Sequence, residues 1–171
     1  MNKEQIDAYR EFGRKKLGVE FDDIDLLITA LTHRSYVNEH RKIAVEHNER
    51  LEFLGDAVLE LVTSDFLYRN YDKPEGIMTS WRAALVNTES NAASGEKLGY
   101  GPLVRLGKGE RQGSERAHHV IMADCYEAII GAIYLDKGYA AAEKFIHENT
   151  LVKIDEILET ESWREIGRAH V

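Results

Sequence analysis

Cysteine is all but absent from this chain: Cys125 is the single one among 171 residues. One thiol excludes an intramolecular disulfide and suits a reducing, cytoplasmic compartment. Cys125 stands beside Asp124, but adjacent helical residues point about 100° apart, so it reads as core filler rather than a nucleophile. No apolar run reaches the length of a membrane span, and Met1-Asn2-Lys3-Glu4 does not open a secretory signal. Internal repeats and low-complexity tracts are missing. The glycine-rich stretch from Gly99 to Ser114 lacks the Gly-Lys-Ser/Thr ending of a phosphate-binding P-loop, so no nucleotide cofactor is expected. Basic charge is short as well: 22 Lys and Arg against 30 Asp and Glu leave a formal net charge of −8. That balance argues against a protein that grips nucleic acid by bulk charge.

What is present is enough apolar residue, 43% of the chain, to build one sizeable domain. The pattern reads as helical almost throughout. It predicts a first helix over Ile6–Lys16 closed by Gly18, and a second capped by Asp22 or Asp23 that carries Ile24, Leu27, Ile28 and Leu31. A long helix follows from about Glu46 to Tyr71, ended by Asp72-Lys73-Pro74. Further helices are predicted over 78–98, 121–136 and 140–159, with Gly99–Ser114 as the longest irregular stretch.

The long helix holds the most informative run, His47 to Leu59. At about 100° per residue, Glu49, Glu52 and Asp56 share an arc of roughly 60°. Leu51, Leu54, Val58, Leu61 and Val62 fall on the opposite side and are expected in the core. Like charges at i,i+3 and i,i+4 destabilise a helix by a few tenths of a kcal/mol per pair, so an external cation is the natural counterpart. Gly55 beside Asp56 costs up to about 1 kcal/mol in a helix relative to Ala; close approach of another helix or a ligand would justify it. A second acidic pair, Asp124 and Glu127, stands at i,i+3 on a helix whose apolar side is Ile129, Ile130 and Ile133. Two such helices crossing would gather four acids, a donor set suited to Mg²⁺. Paired ions of this kind hold the attacking and leaving oxygens of a phosphodiester. Basic residues gather separately, in His33-Arg34, in His40-Arg41-Lys42, and at Arg105, Lys108, Arg111 and Arg116.

The run Asn48–Leu59 resembles the signature of the ribonuclease III family, and Ala123-Asp124 through Glu127-Ala128 resembles its second acidic motif. Thr32-His33-Arg34-Ser35-Tyr36, Pro74-Glu75-Gly76, Arg82–Asn87 and Gly131–Asp136 agree in order and spacing, so the resemblance covers about residues 5–150. It implies an all-α ribonuclease III endonuclease domain, a helical bundle forming a homodimer. It implies Glu52, Asp56, Asp124 and Glu127 as metal ligands, with Asp56 and Glu127 the catalytic pair whose loss is most damaging. Glu49 and Glu75 match accessory acids of the same cleft, and Phe53 matches the aromatic that enters a pocket of the partner subunit; on the residues alone, Phe53 equally suits an ordinary core position. The implied cofactor is Mg²⁺, with Mn²⁺ as substitute. The implied activity is cleavage of double-stranded RNA to 5′-phosphate and 3′-hydroxyl ends, in processing of ribosomal RNA precursors and structured transcripts, away from any membrane. One departure is His118-His119-Val120, where many relatives carry a basic residue and a Ser or Ile.

Two rival classes are weighed. A di-iron carboxylate bundle needs Glu-x-x-His from each of two helices, and only Glu115-Arg116-Ala117-His118 fits. A non-catalytic RNA-binding relative would have no chemical need for four acids. Residues 1–160 are expected to form the catalytic domain, and 161–164 to begin a linker. Glu165–Val171 can be encoded by GAGATCGGAAGAGCACACGTC, the start of a widely used sequencing adapter, so this tail is expected to be non-native. The double-stranded-RNA-binding domain typical of the family is accordingly expected to be missing from the chain.

Overall fold

The computed structural model describes residues 1–43 and 45–160; the expected linker at 161–164 and tail at 165–171 lie outside the described residues. These form an all-α bundle: α1 (Lys3–Phe12), α2 (Ile24–Ala30), α3 (Arg34–Glu39), α4 (Glu49–Asn70), α5 (Glu75–Leu85), α6 (Thr88–Leu98), α7 (Lys108–Arg111), α8 (Glu115–Lys137), α9 (Tyr139–Asn149) and α10 (Ile154–Thr160). Among the described residues, extended pairing is limited to one bridge between Thr32 and Arg105. No described helix is long and apolar enough to cross a membrane.

The axis of the bundle is α8, which packs against α2, α4, α6 and α9. Most of its middle is apolar: Cys125, Tyr126, Ala128, Ile129, Ile130, Ala132 and Ile133 are fully buried, and Asp124 and Glu127 form the one acidic flank. A helix that is apolar on most of its sides belongs largely inside a core, and burial of the Cys125 thiol accords with its reading as filler. Tyr126 satisfies its hydroxyl with Thr150 Oγ1 at 2.6 Å, and Tyr100 donates to the Met122 carbonyl from a buried position.

Several helix boundaries depart from the periodicity, each for a local reason. The segment 78–98 is two helices, because the Asn87 side chain accepts the Ser90 N–H at 2.8 Å and opens a new helix at Thr88. The Ser114 side chain likewise caps α8 through the Ala117 N–H, so that helix begins well before Ile121. The segment 140–159 is split by a 3-10 turn at Leu151–Lys153, and Gly99–Ser114 contains a 3-10 turn at Gly101–Leu103 besides α7. The short α3 lies in a stretch where no helix was expected. Leu61, placed on the core side by the helical count, is 58% exposed; α4 turns it to solvent, whereas Leu51, Val58 and Val62 are buried as expected. Asp23 caps α2 through the Asp25 N–H, and Gly18 closes the first helical segment with φ of 68°.

Candidate active site

The carboxylates converge because α4 and α8 cross with backbones in contact. A Cβ on Gly55 would overlap the Glu127 carbonyl and stand 2.9 Å from the Gly131 nitrogen; a Cβ on Gly131 would overlap the Leu51 carbonyl. Only glycine at both positions allows that approach, which accounts for Gly55 by another helix beside Asp56 rather than by a ligand. Beside that crossing, Glu52 and Asp56 of α4 share a cleft with Asp124 and Glu127 of α8.

Oxygens of Glu52, Asp124 and Glu127 all lie within 4.8 Å of one another. Together with Asp56, Glu49 and Phe53 they line one open cleft of about 610 Å³. Glu127 is pushed up to about 9, first by burial, then by its hydrogen bond to Asp56 and the charges of Asp56, Glu52 and Asp124. Glu52 is pushed up to about 7 by burial and by Asp124, with which it shares a hydrogen bond. Asp124 is raised as well, chiefly by burial, with its hydrogen bond to Glu52 and then His33 pulling the other way. Among the described residues, no Lys or Arg forms an ion pair with any of these four acids. The set therefore has the oxygen chemistry, the closeness and the uncompensated charge that a hard divalent cation requires.

The other expected site residues are distributed differently. Glu49 sits at the rim of the cleft, where Arg34 pairs with it and His47 Nδ1 stands 3.9 Å away. Phe53 is 82% exposed and lines the cleft, which rules out the ordinary core position. Glu75, the first residue of α5, is not brought to this cleft within the chain. It lines a separate groove of about 370 Å³ with Leu61, Tyr68, Met78 and Arg82. At the departure from the family pattern, His118 Nε2 lies 2.6 Å from the Glu110 carbonyl, His119 faces Glu96 and Val120 is exposed.

The spacing of acids did not assign roles to Asn48 or to the Thr32–Tyr36 stretch. Asn48 does not cap α4 with its side chain; its buried amide donates to the Ala30 carbonyl at 3.1 Å and to Cys125 Sγ at 3.6 Å. It thereby ties the start of the acidic helix to α2 and α8. The Arg105 N–H donates to the Leu31 carbonyl, its Nε donates to Thr32 Oγ1 at 2.8 Å, and its guanidinium lies over the Tyr36 ring. The basic Arg105 is thus a structural tie for the glycine-rich segment. Order within a motif is the only trace of these ties in the sequence, since their partners are distant along the chain.

Known proteins resemble this chain over most of its length. Residues 23–154 match the family described as ribonuclease-III-like. Ribonuclease 3 of Streptococcus thermophilus is 47% identical over 139 residues, covering 81% of this chain and 61% of that protein. Ribonuclease 3 of Bacillus cereus is 48% identical over 151 residues, covering 88% and 61%. The chain thus spans 61% of the length of these curated relatives. The nuclease domain of ribonuclease III from Campylobacter jejuni superposes with a TM-score of 0.71 at 37% identity, over 86% of this chain and 98% of that one. Crossing acidic helices, the bundle that carries them and this similarity over most of the length agree: the chain belongs to the ribonuclease III family.

Proposed function

We propose that residues 1–160 are the catalytic domain of a divalent-metal-dependent endoribonuclease that cleaves double-stranded RNA as a homodimer. The observation that carries this reading is the convergence of Glu52, Asp124 and Glu127 oxygens within 4.8 Å, completed by Asp56 hydrogen-bonded to Glu127. A scaffold that only bound RNA would gain nothing from that repulsion.

Glu52, Asp56, Asp124 and Glu127 would hold the cation. Bound there, Mg²⁺, or Mn²⁺ in its place, would neutralise charge on the phosphodiester and acidify a coordinated water. Hydrolysis consumes one water: its oxygen bonds to phosphorus, the P–O3′ bond breaks, and a proton ends on the departing 3′ oxygen. The products carry a 5′-phosphate and a 3′-hydroxyl. Asp56 and Glu127 form the catalytic pair, because each orients the other and losing either removes both a ligand and its support. The cleft is open enough to admit a phosphodiester strand. An A-form duplex is recognised by shape and by phosphate and 2′-hydroxyl contacts rather than by base edges in its narrow major groove.

Assembly rests on α4. Phe53, Leu61 and Tyr68 are 82%, 58% and 77% exposed and share an arc of roughly 80° by the helical count. The groove lined by Leu61, Tyr68 and Met78 is continuous with that stripe. A two-fold pairing places the same patch of each copy against the other, so the Phe53 of each copy can enter the groove of its partner. Glu75 lies in the same groove, so its accessory role belongs to the dimer, in which the groove of one copy meets the cleft side of the other. The Campylobacter jejuni nuclease domain is itself described as having a region involved in dimer formation. The cellular role we assign is cytoplasmic processing of ribosomal RNA precursors and structured transcripts.

The test is incubation of the purified chain with long duplex RNA, with Mg²⁺ or with excess chelator, beside Glu127→Gln. Cleavage should need the metal and collapse in the variant, while duplex binding survives. Full activity in chelator, or unchanged cleavage by Glu127→Gln, would overturn the mechanism.

A further inference from the structure

One arginine stands at the mouth of the acidic cleft, and the backbone fixes it there. Arg34, the first residue of α3, donates from Nη2 to Oε1 of Glu49. Glu49 opens α4 and is itself one of the side chains that line the cleft. Among the described residues, Arg34 is the one Lys or Arg ion-paired with a cleft carboxylate. The segments carrying the two residues are bonded to each other: the Asn48 N–H donates to the Thr32 carbonyl at 2.9 Å. On its other side the same strand of chain is held by the His33 N–H, which donates to the Arg105 carbonyl at 3.0 Å. Main-chain bonds thus set Arg34 beside Glu49, rather than a chance meeting of two long side chains.

The pair does little to hold the fold. The Arg34 side chain is 59% exposed and that of Glu49 45%, and exposed ion pairs add little or nothing to stability. Nor does the pair use up the guanidinium. Only Nη2 is engaged; Nε and Nη1 have no hydrogen-bond partner among the described residues. A planar guanidinium fork matches the oxygens of a phosphate, and it stays charged at any working pH. The cleft lining consists of five carboxylates and Phe53, which offer no donor. A cation held by the inner acids would draw in the phosphate being cut. The neighbouring phosphate meets Glu49 at the mouth, and Arg34 is the group there that can attract it.

We propose that Arg34 is a substrate-binding residue, its guanidinium donating to a phosphate of the RNA strand at the mouth of the cleft, next to the phosphate that is cut. This rests on the endoribonuclease reading and adds to it a named contact between protein and substrate. Glu49 holds the guanidinium at the mouth through one nitrogen and leaves the others for the strand. The competing role for Arg34 is to offset the charge of Glu49 and nothing more. Substitution separates the two: a residue that only neutralises Glu49 becomes dispensable once Glu49 is uncharged, whereas a phosphate contact does not.

The experiment measures binding of a defined RNA duplex in Mg²⁺ to Glu127→Gln protein, into which Arg34→Gln, Glu49→Gln or both are introduced. Arg14→Gln, which breaks an exposed pair with Glu20, is the control for loss of one positive charge. Arg34→Gln should weaken Kd about tenfold or more, the loss expected for one hydrogen bond between charged groups. It should also reduce the slope of log Kd against log salt by about one, as for one phosphate contact. Both changes should persist beside Glu49→Gln, and Arg14→Gln should show neither. Should Arg34→Gln fail to fold, the Nε–H resonance of Arg34 in Glu127→Gln protein decides, by moving when the duplex is added. The proposal is overturned by a folded Arg34→Gln with unchanged Kd and slope, by a loss that vanishes beside Glu49→Gln, by an equal loss in Arg14→Gln, or by a resonance indifferent to the duplex. Failure of the natural chain to cut duplex RNA in Mg²⁺ would instead sink the endoribonuclease reading on which it rests.

Discussion

Gly55→Ala reverses the sign that helix propensity alone would give. In an exposed helix the change stabilises by about 1 kcal/mol. At Gly55 the new Cβ would overlap the Glu127 carbonyl, 2.6 Å from its carbon and 2.9 Å from the Gly131 nitrogen. These are backbone atoms, which cannot swing aside as a side chain does, so α4 and α8 must separate. Overpacking of a well-packed core costs about 1–3 kcal/mol, and an obstacle made of backbone belongs at or above the upper end. Set against the propensity gain, the net loss is about 2 kcal/mol. For a chain of this size that lowers Tm by about 4–8 °C. Cleavage should suffer more, because the same crossing brings Glu52 and Asp56 to Glu127, and a shift near 1 Å in a site can cost about 100-fold. Thermal unfolding and duplex cleavage in Mg²⁺ are measured beside Gly76→Ala, a helical glycine with nothing within 4 Å of its added Cβ. Gly76→Ala should hold or gain stability. A Gly55→Ala protein as stable and active as the natural one would refute the argument that the helix crossing builds the site.

In chelator, stability should fall as pH rises. Glu127 binds its proton more tightly when folded, up to about 9 against an ordinary 4.5, so its contribution is full below about pH 4.5 and is lost as pH climbs through 9. Glu52 adds to the fall up to about pH 7; Glu127→Gln or saturating Mg²⁺ should flatten the denaturation midpoints, and a flat profile in chelator would contradict the crowding of these acids. Phe53→Ala should shift the protein from dimer toward monomer in analytical ultracentrifugation while leaving helical content intact, since this side chain is 82% exposed in the protomer; an unchanged dimer would remove Phe53 from the interface. Cleavage of long duplex RNA should be strongest at low salt and weaken toward physiological ionic strength, because a chain of net charge −8 holds phosphate through few contacts. Tethering a double-stranded-RNA-binding module after residue 160 should restore activity by raising local substrate concentration, and equal salt profiles for the two forms would show that this domain recognises RNA unaided.

Much of the site is legible in the chain because a helix converts spacing into direction. Glu49, Glu52 and Asp56 fall on one side of α4 at any plausible boundary, and Leu51, Val58 and Val62 on the other. Asp124 and Glu127 stack on α8 by the same rule, and Gly55 marks a close approach whose partner, helix or ligand, the chain alone leaves open. Periodicity says which residues share a face, but not what covers that face. Leu61 counts with the core and lies in solvent, because the arc of α4 that the bundle covers is turned away from it, toward Leu59, Thr63 and Leu67. Phe53 suits a core or an interface equally until the fold leaves it outside. The break at Asn87 and the early start of α8 at Ser114 are cap decisions, made by one side chain reaching one N–H, and they outweigh the run of helix formers around them.

The sequence by itself determined the class of fold, the acid ladder on each of two helices, and the solitary thiol as filler. The tertiary structure alone decided that the two ladders meet, that Glu75 sits in a separate groove, and that Arg105 far along the chain ties down the Thr32–Tyr36 stretch. The physical reason is range: caps, faces and like-charge spacing act within a few residues. The field inside the cleft arises only where distant backbones touch, at Gly55 and Gly131.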